Sequence, residues 1–426
     1  MRRYDIAIIG LGNFFRKVES TVAGRHNIVH YLDNDPDKAC QRHQGLDIIY
    51  PQDCSFGEID YVIVAPIRYK ELHEQLLYLG VPAEKIVLFF APQTDFSQYQ
   101  DLFDEPKRLL VMLECQVRDL YGRLNWKEKE LWRLYDNMVY EVADTLKIPS
   151  IVLPRVATIE ETCEKLMEGN VSMSRYGDGE FEIVFGTSKA LFQNDNELLA
   201  KRLRDILLTN QKNHIVAISN NYGCMMGHTP HNKAVIRYYM TPQKRQQHYE
   251  VLDMQKQYYN NYVTRVYAVY GNEKLADVEL VLTKLKSLWR GKDILLLEGW
   301  QTRSGVGNDL FAEAASVERI LGPAKNSFDA YDELLAAALE RGKGKLILLA
   351  LGPAATVMAY DLAVQGYWAL DIGHLDMEYE WFLRREPYAV VPHKYNNEVL
   401  GGENVLPLRD PAYERSIVLR IGCGSE

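Results

Sequence analysis

The sequence predicts an α/β protein made of a small N-terminal parallel-sheet domain, a helical connector and a larger C-terminal α/β domain. Three observations carry that expectation. Short apolar runs rich in Val, Ile and aromatics recur along the chain, as buried parallel strands do. Helix-period stretches alternate with them, which is the rhythm of βαβ units. Between two such regions, Lys107 to Leu146 keeps a helical period and holds no proline.

Within residues 1–92 the strands are expected at Ile6–Ile9, Ile28–Leu32, Tyr61–Ala65 and Ile86–Phe90, with a helix over Lys70–Leu79. This reads as a Rossmann-like sheet. Gly10-Leu11-Gly12-Asn13-Phe14-Phe15 follows the first strand, but Phe15 stands where a dinucleotide fingerprint has its third glycine. Asp33 ends the second strand, where a ribose-binding carboxylate belongs. The geometry for a nucleotide is half present, and no ligand is assigned to this domain.

Residues 93–150 form the connector. Leu109, Leu113, Val117, Leu120 and Leu124 continue into Leu131, Leu134, Met138 and Val142, with charges on the other face. Gly122 is expected to divide it into two helices. The apolar stripe is expected to pack on a neighbouring element of its own chain, with homo-oligomer formation through the connector as the second reading. Residues 151–426 then alternate helices (Ile159–Glu168, Glu197–Thr209, Leu275–Trp289) with strands (Val171–Met173, Ile215–Ser219, Ile294–Leu297, Leu346–Leu351, Ala369–Ile372).

Composition narrows the function. The chain has 426 residues, 47% hydrophobic and 25% charged, with a net charge of −9, which argues against a nucleic-acid partner. Six scattered cysteines, Cys40, Cys54, Cys115, Cys163, Cys224 and Cys423, form no CxxC pair and fit a reducing compartment. No secretory leader and no membrane span is expected, so the location is read as cytoplasmic. The 27 tyrosines outnumber phenylalanine two to one and suit a polar, ring-shaped ligand.

Four segments carry the chemistry. In Arg175-Tyr176-Gly177-Asp178-Gly179-Glu180, two carboxylates two residues apart would face one way in an extended segment and hold Mg²⁺ or Mn²⁺. Arg175 beside them suits a phosphate. In Glu298-Gly299-Trp300-Gln301-Thr302-Arg303-Ser304-Gly305-Val306-Gly307-Asn308-Asp309-Leu310, a glycine-rich turn between a strand and a helix starting near Leu310 makes a diphosphate cradle with Arg303. Asn308 or Asp309 alternatively caps that helix. Leu351-Gly352-Pro353 follows another strand. Finally Asp371 to Glu380 gathers His374 with Asp371, Asp376, Glu378 and Glu380, a source of a general base or of sugar-hydroxyl contacts.

Residues from about 155 to 400 resemble the GT-D type of bacterial glycosyltransferase. The resemblance rests on Arg175–Glu180, Glu298-Gly299, Gly305–Phe311, Leu351-Gly352-Pro353, Asp371–His374 and Glu378–Trp381. It implies that Asp178 and Glu180 bind a divalent metal, Mn²⁺ or Mg²⁺, with the diphosphate of a UDP-sugar donor. It further implies a hexose passed to a glycan or glycoprotein acceptor, in surface glycan or adhesin glycosylation. On this reading Arg175, Tyr176, Gly177, Gly179, Glu298, Arg303, Gly305, Asn308 and Asp309 contact the nucleotide sugar. Asp376 or Glu378, with His374, deprotonates the acceptor, and Trp300 and Trp381 stack on sugar rings. Two other classes stay open: a non-catalytic nucleotide- or sugar-sensing protein, and an NAD-dependent sugar oxidoreductase.

Overall fold

The computed structural model describes residues 2–39, 41–146, 148, 150–187, 193–399 and 401–422. It divides into two compact units, Met1–Leu131 and Trp132–Glu426. The division falls inside the connector, so this segment is shared rather than a domain of its own.

In the first unit, β1 (Asp5–Ile9), β2 (Asn27–Leu32), β3 (Arg42–His43), β4 (Leu46–Ile49), β5 (Tyr61–Val64) and β6 (Ile86–Leu88) form a sheet in the order β3-β4-β2-β1-β5-β6. Both faces are covered. Ile6 and Ile8 pack in one core, Ala7 and Ile9 in the other, which is why β1 reads as uniformly apolar. The β3–β4 pair is antiparallel and leaves no apolar run in the sequence, because its strands are short and partly polar. Its turn is set by Gln44 (φ 48) and Gly45 (φ 87), two left-handed residues in succession as a type I′ hairpin requires.

The turn after β1 uses Asp33 internally. Leu11 N–H donates to Asp33 Oδ2 at 2.6 Å, and Lys38 pairs with the same carboxylate at 3.3 Å. The helix that follows, Phe15–Glu19, has only five residues. A carboxylate closing the turn is not one presented to a ribose, so the half-fingerprint is a scaffold turn.

The connector is one continuous helix, Glu105–Leu146, of 42 residues. Gly122 does not break it. A single glycine costs about 1 kcal/mol against alanine, and the flanking turns carry ion pairs from Arg123 to Asp119 (3.1 Å) and from Lys127 to Glu130 (2.9 Å). Val111 and Cys115 bury one face of its first half, and Asn137 and Ala143 are buried in the second. The long apolar stripe is exposed, contrary to the expectation that it packs on its own chain.

The second unit holds β7 (Arg155–Val156), β8 (Ser172–Tyr176), β9 (His214–Ile218), β10 (Gln257–Asn260), β11 (Asp293–Gly299), β12 (Ser316–Gly322), β13 (Leu346–Ala350), β14 (Trp368–Asp371) and β15 (Ile417–Arg420). Their order is β15-β12-β11-β13-β14-β8-β9-β10-β7, and every pairing among the described residues is parallel. From β8 the chain runs outward to β9 and β10, whereas β14 is reached from β13 on the other side. Strand order therefore reverses between β14 and β8, where open α/β sheets place their ligand crevice. These two strands pair only at Leu370 and Met173. The helix expected near Leu310 does not form: residues 300–315 are turns joining β11 directly to its neighbour β12.

No helix among the described residues is long and apolar enough to cross a membrane. Cys54, Cys115 and Cys163 are free thiols, and Cys40 and Cys423 lie outside the described residues.

Candidate functional site

Strand β8 extends to Tyr176, and the helix Asp178–Phe185 begins at once after Gly177. Asp178 and Glu180 are thus the first and third residues of a helix, not members of an extended segment. Helical residues two apart project about 200° from one another, so the two carboxylates diverge. Glu180 turns back, and its Oε2 accepts the Gly177 N–H at 2.7 Å, capping the helix. Burial pushes the Glu180 carboxyl up to about 7, and the negative charge of Asp371 adds to that. Asp178 is exposed and accepts the Gly179 N–H at 3.1 Å. Tyr176 is buried core, its hydroxyl donating to Leu203 O at 2.8 Å, which takes it out of the proposed nucleotide contacts.

Across the crevice, β14 ends on Asp371. Arg175 Nη1 lies 3.7 Å from Asp371 Oδ1, and both side chains are buried. Thr356 Oγ1 lies 2.9 Å from Arg175 O and 3.2 Å from Asp371 Oδ2, and the Gly373 N–H donates to Asp371 Oδ1 at 3.1 Å. Gly373 has φ +46, and a Cβ there would stand 1.8 Å from Arg175 Nη1, so only glycine leaves the guanidinium its place. Burial raises the Asp371 carboxyl above its ordinary value despite Arg175. Arg175 Nε is buried with no hydrogen-bond partner among the described residues. On the far side Asn261 Nδ2 donates to Tyr176 O at 2.7 Å and holds the end of β8.

The glycine-rich segment after β11 is braced rather than open. Glu298 is fully buried, with Oε2 accepting the Ser304 N–H at 2.7 Å and Oε1 paired with Arg319 Nη1. Arg303 is buried too, in a left-handed conformation (φ 51), donating Nη1 to His393 O and Leu406 O at 2.9 Å each. Neither fits the cradle role, because a phosphate would have to displace internal partners. With no helix after it, the loop also lacks the N-terminal dipole that role required. Asn308 donates to Asp376 (2.9 Å) and Glu380 (2.8 Å), while Asp309 is taken by Lys286 at 2.7 Å and by the Tyr379 hydroxyl. Asn308 therefore ties this loop to the next one instead of capping a helix. Gly305 does the same through its N–H, 2.7 Å from Asp376 Oδ1.

After β14 the helix Leu375–Arg384 buries most of its acids. Asp376 accepts Lys394 Nζ on its second oxygen at 2.7 Å. Glu378, with no exposed surface, accepts the Ala268 N–H at 2.7 Å and faces Arg265 Nε at 3.4 Å. Both carboxylates are engaged on both oxygens, which corrects their reading as bases facing an acceptor. His374, at the helix start, pairs through Nδ1 with Glu398 Oε1 at 3.1 Å and keeps a quarter of its side chain exposed. Against burial, which works to raise it, Arg265 and His374 hold the Glu398 carboxyl well below the usual range. Arg265 grips Glu398 with two bonds of 2.7 and 2.6 Å. Trp381 is core, its indole N–H donating to Ala389 O at 2.9 Å; Trp300 is half-buried.

The crevice thus gathers Arg175, Asp371 and Glu180, with Asp178 and His374 on the segments that follow β8 and β14. Sequence reasoning named Asp371 only as one acid of the His374 cluster, not as the partner of Arg175, and gave no role to Asn261 or Glu398. Asp371 carried a usable signal, an acid closing an otherwise apolar strand; Asn261 and Glu398 are distant in sequence and carried none. Among the described residues no three His, Cys, Asp or Glu side chains gather as a metal cage. The available donors are hard carboxylate oxygens, with raised proton affinity at Glu180 and Asp371, and such oxygens suit Mg²⁺ or Mn²⁺ shared with substrate phosphates.

Residues 173–399 match the family described as "Glycosyltransferase GT-D fold", and residues 2–87 match "C2185-like, N-terminal". Over 321 residues the chain is 33% identical to glycosyltransferase GlyD of Streptococcus pneumoniae serotype 4, covering 74% of this chain and 38% of that protein. Over 275 residues it is 33% identical to the probable glycosyl transferase Gly of Streptococcus gordonii, covering 62% and 39%. It therefore spans about two fifths of the length of these curated relatives. One solved structure, of the domain of unknown function 1792 with "a distinct glycosyltransferase fold", aligns at a TM-score of 0.59 and 33% identity, covering 64% of this chain and 96% of that one. Another, a glycosyltransferase (DUF1792) from Streptococcus sanguinis, aligns at 0.60 and 31% identity, covering 63% and 100%.

Proposed function

Because this chain belongs to the family of glycosyltransferases with the GT-D fold, we propose that it is a metal-dependent hexosyltransferase. The donor is a UDP-sugar, and the acceptor is a hydroxyl of a glycan or glycoprotein. One observation carries the reading: a buried guanidinium, Arg175, keeps an unpartnered N–H at the β14–β8 crevice, beside carboxyls whose proton affinity burial has raised. An anionic ligand completes the first, and a divalent cation relieves the second.

Asp178, with Glu180 once it releases the Gly177 N–H and turns toward it, would hold Mg²⁺ or Mn²⁺, which when bound would neutralise charge on the leaving diphosphate. Arg175 offers its open N–H to a phosphate oxygen, held in place by Asp371, while Asp371 itself is oriented by Thr356 and Gly373. His374, oriented by Glu398, takes the acceptor proton. Glu298, Arg303, Asn308 and Asp376 act at a distance, fixing the two loops that flank the crevice.

The test is nucleoside diphosphate release from a panel of UDP-, GDP- and TDP-sugars with Mn²⁺, run with wild type and with Asp178→Ala/Glu180→Ala. Release from a UDP-sugar that vanishes in the double variant supports the proposal. Unchanged turnover in that variant, or no release with any donor and acceptor, overturns it. A thermal shift with NAD but not with UDP would point to the oxidoreductase.

A further inference from the structure

The exposed stripe on the helix Glu105–Leu146 has a period that ordinary packing on a globular core does not need. Leu110, Val117, Leu124, Leu131 and Met138 recur every seven residues. Leu113, Leu120, Lys127 and Leu134 lie three residues after the first four of them. This 3-4 alternation is the a/d seam of a two-stranded coil, running about 43 Å along the helix. The eight apolar members are between 39% and 65% exposed. Leu109, Tyr121 and Tyr135 widen the stripe and are exposed as well.

We propose that this face pairs with the same face of a second copy of the chain as a parallel, in-register coiled coil over Leu110–Met138. Three features select that occupant. First, Arg123 stands at a g position and Glu128 at the e position five residues on, so a parallel two-fold pair makes the Arg123–Glu128 contact between copies twice. Second, Lys127 is the single charged residue inside the seam. Its ammonium is already turned out to Glu130 at 2.9 Å, leaving its stem in the stripe; one polar seam residue fixes register at a cost in stability. Third, the helix carries seven Lys and Arg against eight Asp and Glu, a balance that does not favour an anionic membrane surface.

The seam also has built ends. At Asn137 and Glu141 the helix turns its polar positions inward, to Arg245 Nη2 at 2.8 Å and to the Arg237 guanidinium at 2.7 and 2.8 Å. At the other end Val111 and Cys115 are buried on the opposite face. At its start the helix is held from behind, and at its end Asn137, a g position, and Glu141, the next d position, are taken by its own unit, so the seam closes after Met138.

Sedimentation velocity of the full chain across a wide micromolar range tests this, with vesicle flotation on phosphatidylglycerol-containing liposomes alongside. The expected result is a concentration-dependent dimer. Leu120→Glu with Leu124→Glu should raise its dissociation constant by more than about a hundredfold. Both leucines are exposed in the single chain, so the thermal midpoint extrapolated to low concentration should not fall. Arg123→Glu should weaken the dimer, and adding Glu128→Arg should restore it. Lys127→Leu should tighten it. A monomer at every concentration, a trimer or tetramer, flotation without dimerisation, or no rescue by the charge exchange would each overturn the proposal.

Discussion

Arg175 and Asp371 meet at 3.7 Å between two strand ends that belong to opposite halves of the sheet, and Gly373 is shaped around that meeting. The pair joins the end of β8 to the end of β14. Whatever occupies the crevice is presented with one cation whose position depends on both.

Gly373→Ala should therefore be costly out of proportion to its size. The added methyl would sit 1.8 Å from Arg175 Nη1, and φ +46 already disfavours a side chain. Stability should fall by about 1–2 kcal/mol. Turnover should fall about a hundredfold, because the guanidinium must swing away. Donor-dependent nucleotide release and urea unfolding measure the two effects separately; wild-type turnover would show that Arg175 is not placed by this contact.

Glu180 supplies a pH dependence with a definite sign. Its carboxyl rises from an ordinary value of 4.5 to about 7, so the folded state binds this proton more tightly than the unfolded chain. Its contribution to stability is neutral below the lower value, declines as pH rises between the two and levels off above the higher one. The full span is roughly 3 kcal/mol. Glu180→Gln keeps an acceptor for Gly177 N–H but removes the proton. Urea unfolding in the presence of chelator should give a wild-type-minus-variant difference that slopes downward between about pH 5 and 7, and a flat difference would refute the assignment.

The buried Glu298–Arg319 pair should behave as a unit. Glu298→Ala strands Arg319 and the Ser304 N–H inside the protein, and should cost about 3–5 kcal/mol. Glu298→Leu with Arg319→Met removes both charges and should cost less than the single change. Calorimetric unfolding of wild type and these two variants decides the point, a larger loss in the double variant being the contrary result.

Gly122→Ala tests the continuous connector. A Cβ at Gly122 meets nothing within 4 Å, so alanine should stabilise the helix by about 0.5–1 kcal/mol without changing turnover. Destabilisation would mean that the helix is bent or interrupted there.

The parallel sheets were readable because strands buried on both faces leave uninterrupted apolar runs, as in Ile294–Leu297 and Leu346–Leu351. β10, with the sequence Gln-Tyr-Tyr-Asn, and β12, which carries Glu318 and Arg319, were not readable for the same reason in reverse: their polar residues are satisfied by partners far along the chain. The site was legible as a set of strand-end loops but not in its division of labour. Acids in sequence look alike. Only the structure separates Glu298, Asp376 and Glu378, each spent on backbone or cationic partners, from Glu180 and Asp371, which crowd one crevice. The period of the connector was visible from the start; what it lacked was the knowledge that nothing in its own chain covers the seam among the described residues.

That division of labour yields the sharpest test. Asp376 is buried, with Lys394 on one oxygen and Gly305 and Asn308 on the other. Asp376→Asn should leave Lys394 without its full counter-charge and cost about 3 kcal/mol of stability, while the shape of the kcat–pH profile stays as it was. His374 is partly exposed and tied to the Glu398 carboxylate. His374→Gln should lower kcat by about 10²–10⁴-fold, with unfolding changed by less than about 1 kcal/mol. If His374→Gln turns over normally while Asp376→Asn is inactive yet fully stable, the acceptor proton goes to Asp376, and the bonds now seen around it must open during the reaction.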